Sequence, residues 1–370
     1  MKSIGIICEY NPFHNGHIYH INKIKEMFPD SVIILVMSGN FTQRGDASII
    51  NKWNKTKIAL NHNIDLVVEL PFTFTNQSAD TFAFGACSIL NYLKVDYLVF
   101  GSESDNIDYI KNIVNIEDEK KYQEKVKELL DNGINYPTAL SKALKDFNIN
   151  LSDNSNDLLG ISYVKALKKL NSKIIPITIK RTNNYNDKTL TKYITSATSI
   201  RENINKKNIK KYVPKDTYKC LKEKKYFIED YYPLLKYKIM SEINDLNKYN
   251  DVNEGIENRI KKVIYESNSY DELIMNIKSK RYTYSKIKRI LLNILVGFTK
   301  EDKEKNKKIN YIRVLGFNKN GKNYLNKIKK ECTIPIYTNF NKDLEYELKV
   351  TSIYDESLIK EEIKNIIICD

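Results

Sequence analysis

Two histidines three positions apart, His14 and His17, flank Asn15-Gly16 directly after the apolar run Ser3-Ile4-Gly5-Ile6-Ile7-Cys8-Glu9-Tyr10. The run is β-branched and short enough for one buried parallel strand. Asn11-Pro12 breaks it, and Gly16 onward predicts a helix through Ile18, Ile21 and Ile24. Both imidazoles then fall at a helix N-terminus, where unpaired backbone N–H groups and the positive end of the helix dipole already attract a phosphate. The chemistry that suits such a turn is the holding of a triphosphate. Ordinary capping or partly buried histidines are the bland alternative. A zinc site of two histidines and Glu9 is a weaker one, since the chain has no H-E-x-x-H and no paired cysteine spacing; no metal site is assigned.

A second phosphate-binding element is Thr195-Ser196-Ala197-Thr198-Ser199-Ile200-Arg201, which predicts a helix opening near Thr198. Hydroxyls at a helix start donate to anionic oxygens beside the backbone N–H groups, and an arginine one turn in can fork onto a phosphate or a leaving pyrophosphate. These residues need a frame. Short apolar runs at Ile4 to Cys8, Ser31 to Met37, Leu66 to Leu70 and Tyr97 to Phe100, with a fifth at Lys173 to Lys180, alternate with helical patterns and describe a parallel α/β sheet. In such a sheet the functional loops lie at the carboxyl ends of the strands. There the chain carries His14 to His17, Ser38-Gly39-Asn40-Phe41-Thr42-Gln43-Arg44-Gly45-Asp46, Gly101-Ser102-Glu103-Ser104 and Arg181.

Beyond about residue 205 the pattern becomes mainly helical, with apolar spacing over Tyr232 to Leu246, Ile256 to Tyr265 and Ser285 to Leu295. Lys300 to Lys308 reads as a connection. Tyr311 to Phe317 and Ile363 to Ile368 predict a small C-terminal α/β unit. The expected division is 1–205, 206–300 and 301–370. The net charge of +14 is uneven, +2 over residues 1–200 and +12 over 201–370. A basic second half in a chain with 26 tyrosines suits a nucleic-acid backbone with rings to stack on unpaired bases, although solvated lysines alone would give the same count. Five scattered cysteines imply reduced thiols, and no run is long enough for a membrane span or resembles a signal peptide, so the expected compartment is the cytoplasm.

The two phosphate elements together resemble the signature of the HxGH nucleotidylyltransferase superfamily. Glu9-Tyr10-Asn11-Pro12-Phe13-His14-Asn15-Gly16-His17, Met37 to Gly45, Val68-Glu69-Leu70-Pro71, Phe100-Gly101-Ser102-Glu103, Asn156 to Tyr163 and Lys280-Arg281-Tyr282-Thr283 resemble, over nearly the whole chain, the bacterial tRNA(Met) cytidine acetate ligase family. The resemblance implies a Rossmann-like parallel sheet of the HxGH type, a basic helical domain and a small α/β unit. It implies an enzyme that joins acetate to ATP, releasing pyrophosphate, and passes the acetyl group to N4 of the wobble cytidine of elongator tRNA(Met). Its ATP-gripping segment corresponds to Ile7-Cys8-Glu9-Tyr10-Asn11-Pro12-Phe13-His14-Asn15-Gly16-His17-Ile18-Tyr19-His20, with Gly101, Asn156 and Arg181 as further nucleotide contacts. Where the family tends to carry a glycine and a histidine shortly after that arginine, this chain has Thr182-Asn183-Asn184-Tyr185-Asn186.

The residues allow the same chemistry. His14 and His17 supply donors at the α-phosphate, with Mg²⁺ on the triphosphate. Thr198 and Arg201 hold the outer phosphates, and Gly101 admits a close backbone approach. Ser38, Gly39, Asn40, Gln43 and Arg44 form the candidate substrate loop. Lys206, Lys207, Lys210, Lys211, Lys280, Arg281 and Lys286 are candidates for the face that meets the anticodon region; nothing in the sequence calls for a stable protein partner. Two rivals stay open: a small-molecule adenylyltransferase or pantothenate-synthetase-like acid:amine ligase, and a non-catalytic RNA-binding protein on the same scaffold. The basic second half speaks against the first, and the intact His14, His17, Thr198 and Arg201 speak against the second.

Overall fold

The computed structural model describes residues 1–134, 136–149, 155–181, 194–279, 281–364 and 366–369. Lys280 and residues 182–186 lie outside the described residues, and of Lys207 only the backbone is described.

The predicted strands form as β1 (Ser3–Cys8), β2 (Val32–Ser38), β3 (Leu66–Leu70), β4 (Tyr97–Ser102) and β5 (Ile175–Lys180). They are parallel and stand in the order β5-β4-β1-β2-β3. Strand β2 shows why the sheet is buried on both faces. Side chains alternate along a strand, so Val32, Ile34 and Val36 enter one core with Leu66, Val68 and the helix Ala79–Tyr92, while Ile33, Leu35 and Met37 enter another with Ile21, Ile24 and Ile58. The chain lays β2 and β3 on one side of β1 and then returns to lay β4 on the other. This reversal opens a crevice at the carboxyl ends of β1 and β4, where such sheets bind ligands.

Residues 301–370 contribute β6 (Ile312–Phe317), β7 (Ile336–Tyr337) and β8 (Ile367–Ile368). Strand β6 lies antiparallel along β3, with Leu66 opposite Phe317 and Glu69 opposite Arg313, so the sheet continues into the C-terminal segment. Strands β7 and β8 pair with β6 in parallel. Between them in sequence, the helices Tyr232–Ser241, Ile256–Val263, Tyr270–Ile277 and Tyr284–Val296 enclose a core that also takes in Phe41, Ala47 and Phe72 from the first segment and Val350 and Tyr354 from the last. The stretch expected to be a connection holds a short helix, Lys300–Lys305. The Thr299 hydroxyl caps it and the Asp302 carboxylate returns the bond to the Thr299 N–H at 2.9 Å, a reciprocal cap strong enough to start a helix in a charged run. Among the described residues no helix is long and apolar enough to cross a membrane.

Candidate active site

The helix predicted after β1 spans Asn15–Met27, and His14 is its N-cap. His14 Nδ1 accepts from the Gly16 N–H at 3.0 Å, and His17 Nδ1 accepts from the His14 N–H at 3.1 Å. The two bonds form a capping box built from imidazoles instead of the usual hydroxyl and carboxylate. Their direction assigns the tautomer: with each Nδ1 accepting, each ring carries its proton on Nε2, the donor left for a ligand. The rings lie 3.8 Å apart between centroids, and Tyr10 and Phe13 pack against His17.

Burial keeps these rings neutral. It pushes His14 down to about 3 and His20 down to about 4, and it holds His17 well below the usual range; nearby Arg181 adds to all three, and Arg201 to His14. An unfolded histidine takes up a proton near pH 6.5, so below that pH the unfolded chain binds protons that the native turn does not. Native stability is therefore full above about 6.5 and falls as pH drops toward the depressed values. A thermal melt at about pH 5 is expected to lie below one at about pH 7. The gap should narrow in a His14→Asn variant; an equal gap in both would detach the effect from this ring.

Two arginines approach from different elements. Arg201 donates through Nη1 to the Asn11 carbonyl at 2.6 Å and through Nη2 to Thr198 Oγ1 at 3.2 Å, which binds the second phosphate element to the histidine turn. Its helix, Ala197–Glu202, opens one residue before Thr198, near where it is expected, because Ser196 Oγ caps it by accepting from the Ser199 N–H at 3.0 Å. Arg181, just past β5, donates to Asn156 Oδ1 at 3.1 Å, and its side chain lies against Gly101, where a Cβ would stand 3.1 Å from Cγ. Arg181 Nε and His20 Nε2 are buried without a hydrogen-bond partner among the described residues. Buried polar atoms left open in this way can pair with a ligand's polar groups.

Asp157 is a residue the sequence reading quoted but gave no role. Its carboxylate accepts from Ser102 Oγ at 2.5 Å and from the Glu103 and Ser104 N–H groups at 3.1 and 3.0 Å. Glu103 reciprocates, accepting from Asn156 Nδ2 at 2.5 Å and the Asp157 N–H at 3.0 Å. This knot fixes the loop after β4. Lys55 was missed outright. Fully buried, it donates to the carbonyls of Glu9, Ser38 and Gly39 at 2.9, 2.9 and 2.8 Å and so joins the ends of β1 and β2; burial pulls it down to about 7.

The candidate substrate loop divides. Gln43 comes to the turn: its N–H donates to Glu9 Oε1 at 2.6 Å. Arg44 acts on Glu9 electrostatically. Asn40 faces the other way, donating to Thr351 Oγ1 at 3.1 Å and accepting from the Lys52 N–H at 2.9 Å, and it is buried together with Ser38. The basic candidates form two places. Lys206, Lys210 and Lys211 are exposed on a short 3-10 turn next to the histidines, since Asn15 donates to the carbonyls of Lys211 and Tyr212 at 2.9 Å each. Arg281 and Lys286 lie at the start of the 284–296 helix, and both pair with Glu254, at 3.3 and 3.2 Å.

A parallel sheet whose first turn presents neutral histidine donors at the strand reversal defines a nucleotidyltransferase, and the family described as HIGH Nucleotidyl Transferase matches residues 1–366. The tRNA(Met) cytidine acetate ligase of Clostridium novyi is 43% identical, across 98% of this chain and 96% of that protein, and the one of Acetivibrio thermocellus is 40% identical, across 96% and 94%. The chain belongs to the tRNA(Met) cytidine acetate ligase family. Two crystal structures of Thermotoga maritima TmcAL, 33% identical, superpose across 98% of this chain and 92% of theirs: the apo form with a TM-score of 0.87, and the form bound with alpha-thio ATP with 0.84.

Proposed function

We infer that this chain condenses acetate with ATP to acetyl-adenylate and pyrophosphate, then transfers the acetyl group to N4 of the wobble cytidine of elongator tRNA(Met). The observation that carries this reading is the meeting of two neutral Nε2–H donors with Arg181 and Arg201 at one strand reversal. When an acetate oxygen attacks the α-phosphorus, the bond to the β-phosphate oxygen breaks and charge builds on phosphoryl oxygens. Donors already held in place by a capping box stabilise that charge without reorganising. His14 and His17 serve the α-phosphate, and Arg201 serves the departing pyrophosphate. Mg²⁺ travels with the triphosphate in this reading, where it would neutralise charge on the phosphates.

In the second step the cytosine N4 attacks the acetyl carbon, the bond to the phosphate oxygen breaks, AMP leaves and N4 gives up a proton. Residues 1–205 carry the chemistry, 206–300 bind the tRNA with Lys206, Lys210, Lys211, Arg281 and Lys286, and the cytoplasm supplies acetate and tRNA. The test is to incubate the protein with unmodified elongator tRNA(Met), ATP, Mg²⁺ and labelled acetate, and to search the digested RNA for labelled N4-acetylcytidine by mass spectrometry. ATP-dependent label at the wobble position is the expected result; acetate-dependent pyrophosphate exchange without label would move the search to another acceptor.

Glu254 gives a finer test of the RNA face. Its carboxylate competes with RNA phosphates for Arg281 and Lys286. Glu254→Gln is therefore expected to tighten tRNA binding about two- to fivefold at low salt and to steepen its salt dependence, as read by filter binding. Unchanged affinity at every salt concentration would remove these two cations from the interface.

A further inference from the structure

Several contacts converge on the seam between residues 41–47 and the helix Tyr284–Val296. Gly45 has φ 81°, and a Cβ there would stand 2.5 Å from the Lys288 carbonyl carbon and 2.6 Å from the Arg289 nitrogen. The two backbones touch, and only glycine allows it. Next to that contact the Asp46 carboxylate accepts from Lys288 Nζ at 2.7 Å, with both side chains 27% exposed. Asn76 Nδ2 braces the same helix, donating to the Arg289 carbonyl at 3.0 Å and to Asn293 Oδ1 at 2.7 Å. The other end of the loop reaches the histidine turn through the Gln43 bond to Glu9. One short path therefore runs from Glu9 through Gln43 and Asp46 to Lys288, and two residues earlier on that helix stands Lys286.

The Gly45 contact and the Asp46–Lys288 pair are made by residues outside the groups assigned to ATP and acetate, and the loop meets those groups only through Gln43 and Arg44. Acyl transfer requires the nucleophile to arrive within about 3–3.5 Å of the acetyl carbon, and a misplacement of about 1 Å lowers the rate about a hundredfold. An RNA held by the helical segment can meet that tolerance only if the segment has a fixed position relative to the turn. Two arginines also meet at the seam: Arg289 Nε is buried without a hydrogen-bond partner among the described residues, and burial disfavours its charge, with Asp251 opposing and Arg44 adding to the effect. Two cations set side by side suit a strand whose phosphates pass over them.

We propose that the seam, locked by Gly45 and the Asp46–Lys288 pair, sets the distance between bound tRNA and the activated acetyl group, which makes Asp46 and Lys288 positioning residues for transfer and not for activation. The proposal rests on the tRNA reading of the preceding subsection. Its test compares Asp46→Asn and the charge exchange Asp46→Lys with Lys288→Asp in the full chain. Two readouts are used: acetate-dependent ATP–pyrophosphate exchange without tRNA, and the kcat of acetyl transfer at saturating tRNA.

For Asp46→Asn, pyrophosphate exchange is expected to stay within about twofold while transfer kcat falls about ten- to a hundredfold, and the charge exchange should recover most of the loss. Equal loss of both activities would make the pair a merely structural contact and overturn the proposal. So would unchanged or faster transfer in Asp46→Asn, which would show that Lys288 serves RNA better when freed. Failure of the underlying reading looks different, because the unaltered protein would then leave no acetyl group on tRNA before any variant is compared.

Discussion

Substituting His14 by asparagine is expected to lower acetate-dependent ATP–pyrophosphate exchange by about 10²–10³-fold while the protein remains folded. Asparagine is the informative replacement because His14 has two separable duties. Its Nδ1 caps the 15–27 helix, and Asn is among the best N-cap residues, so the variant keeps the roughly 1 kcal/mol that alanine would forfeit. Its Nε2–H, the donor that the proposed function assigns to the phosphoryl oxygens, is lost. His14→Ala should show the same loss of exchange together with a lower melting temperature. A folded His14→Asn enzyme exchanging at the normal rate would assign this imidazole to capping alone and leave the phosphate to Arg181, Arg201 and the backbone.

The largest stability effect is expected at Lys52. Its ammonium sits 2.8 Å from Glu69 Oε1 and 2.7 Å from Glu362 Oε1, and Arg313 bonds both of those carboxylates. All four side chains are at most 5% exposed. Burial and the charge of Glu69 push nearby Glu347 up, which favours its neutral form, and the four charged side chains balance at two cations and two anions. Lys52→Met leaves one buried carboxylate uncompensated and should destabilise the protein by about 3–5 kcal/mol in urea unfolding. Adding Glu362→Leu restores the balance and should return part of that loss. A double variant weaker than Lys52→Met would contradict the charge-balance account.

These two sites differ in how much of them the sequence could reveal. The histidine turn is legible because it is local: an apolar run, a break and a helix pattern place His14 and His17 without knowledge of any distant residue. The same holds for β1 to β5, whose apolar runs are bounded by turn residues, and for the loops at their carboxyl ends. Lys52 and Lys55 are opaque for the opposite reason. A lysine reads as a solvated side chain, and only tertiary packing shows that Lys55 faces three carbonyls and Lys52 two carboxylates. The one available hint was their i,i+3 spacing beside Trp53, Ile58 and Leu60 in a helix whose face must be buried. Strand β6 is visible as an apolar run, but its partner is not, since 241 residues separate Leu70 from Ile312 and no local pattern encodes a pairing across that gap. The Asp46–Lys288 pair is hidden in the same way.

The placement of β6 beside β3 bears on how the protein is made. Synthesis delivers β1 to β5 and the whole nucleotide turn long before Arg313 and Glu362 emerge, so a nascent chain carries an unpaired sheet edge and a Lys52–Glu69 pair with no other charges to meet. Such an edge invites pairing with other chains. A ribosome that stalls before the last sixty or so residues thus releases a product that contains every residue proposed to hold phosphate but leaves its first sheet unfinished. Premature termination should accordingly yield aggregation-prone, protease-sensitive fragments in place of a shortened enzyme that consumes ATP.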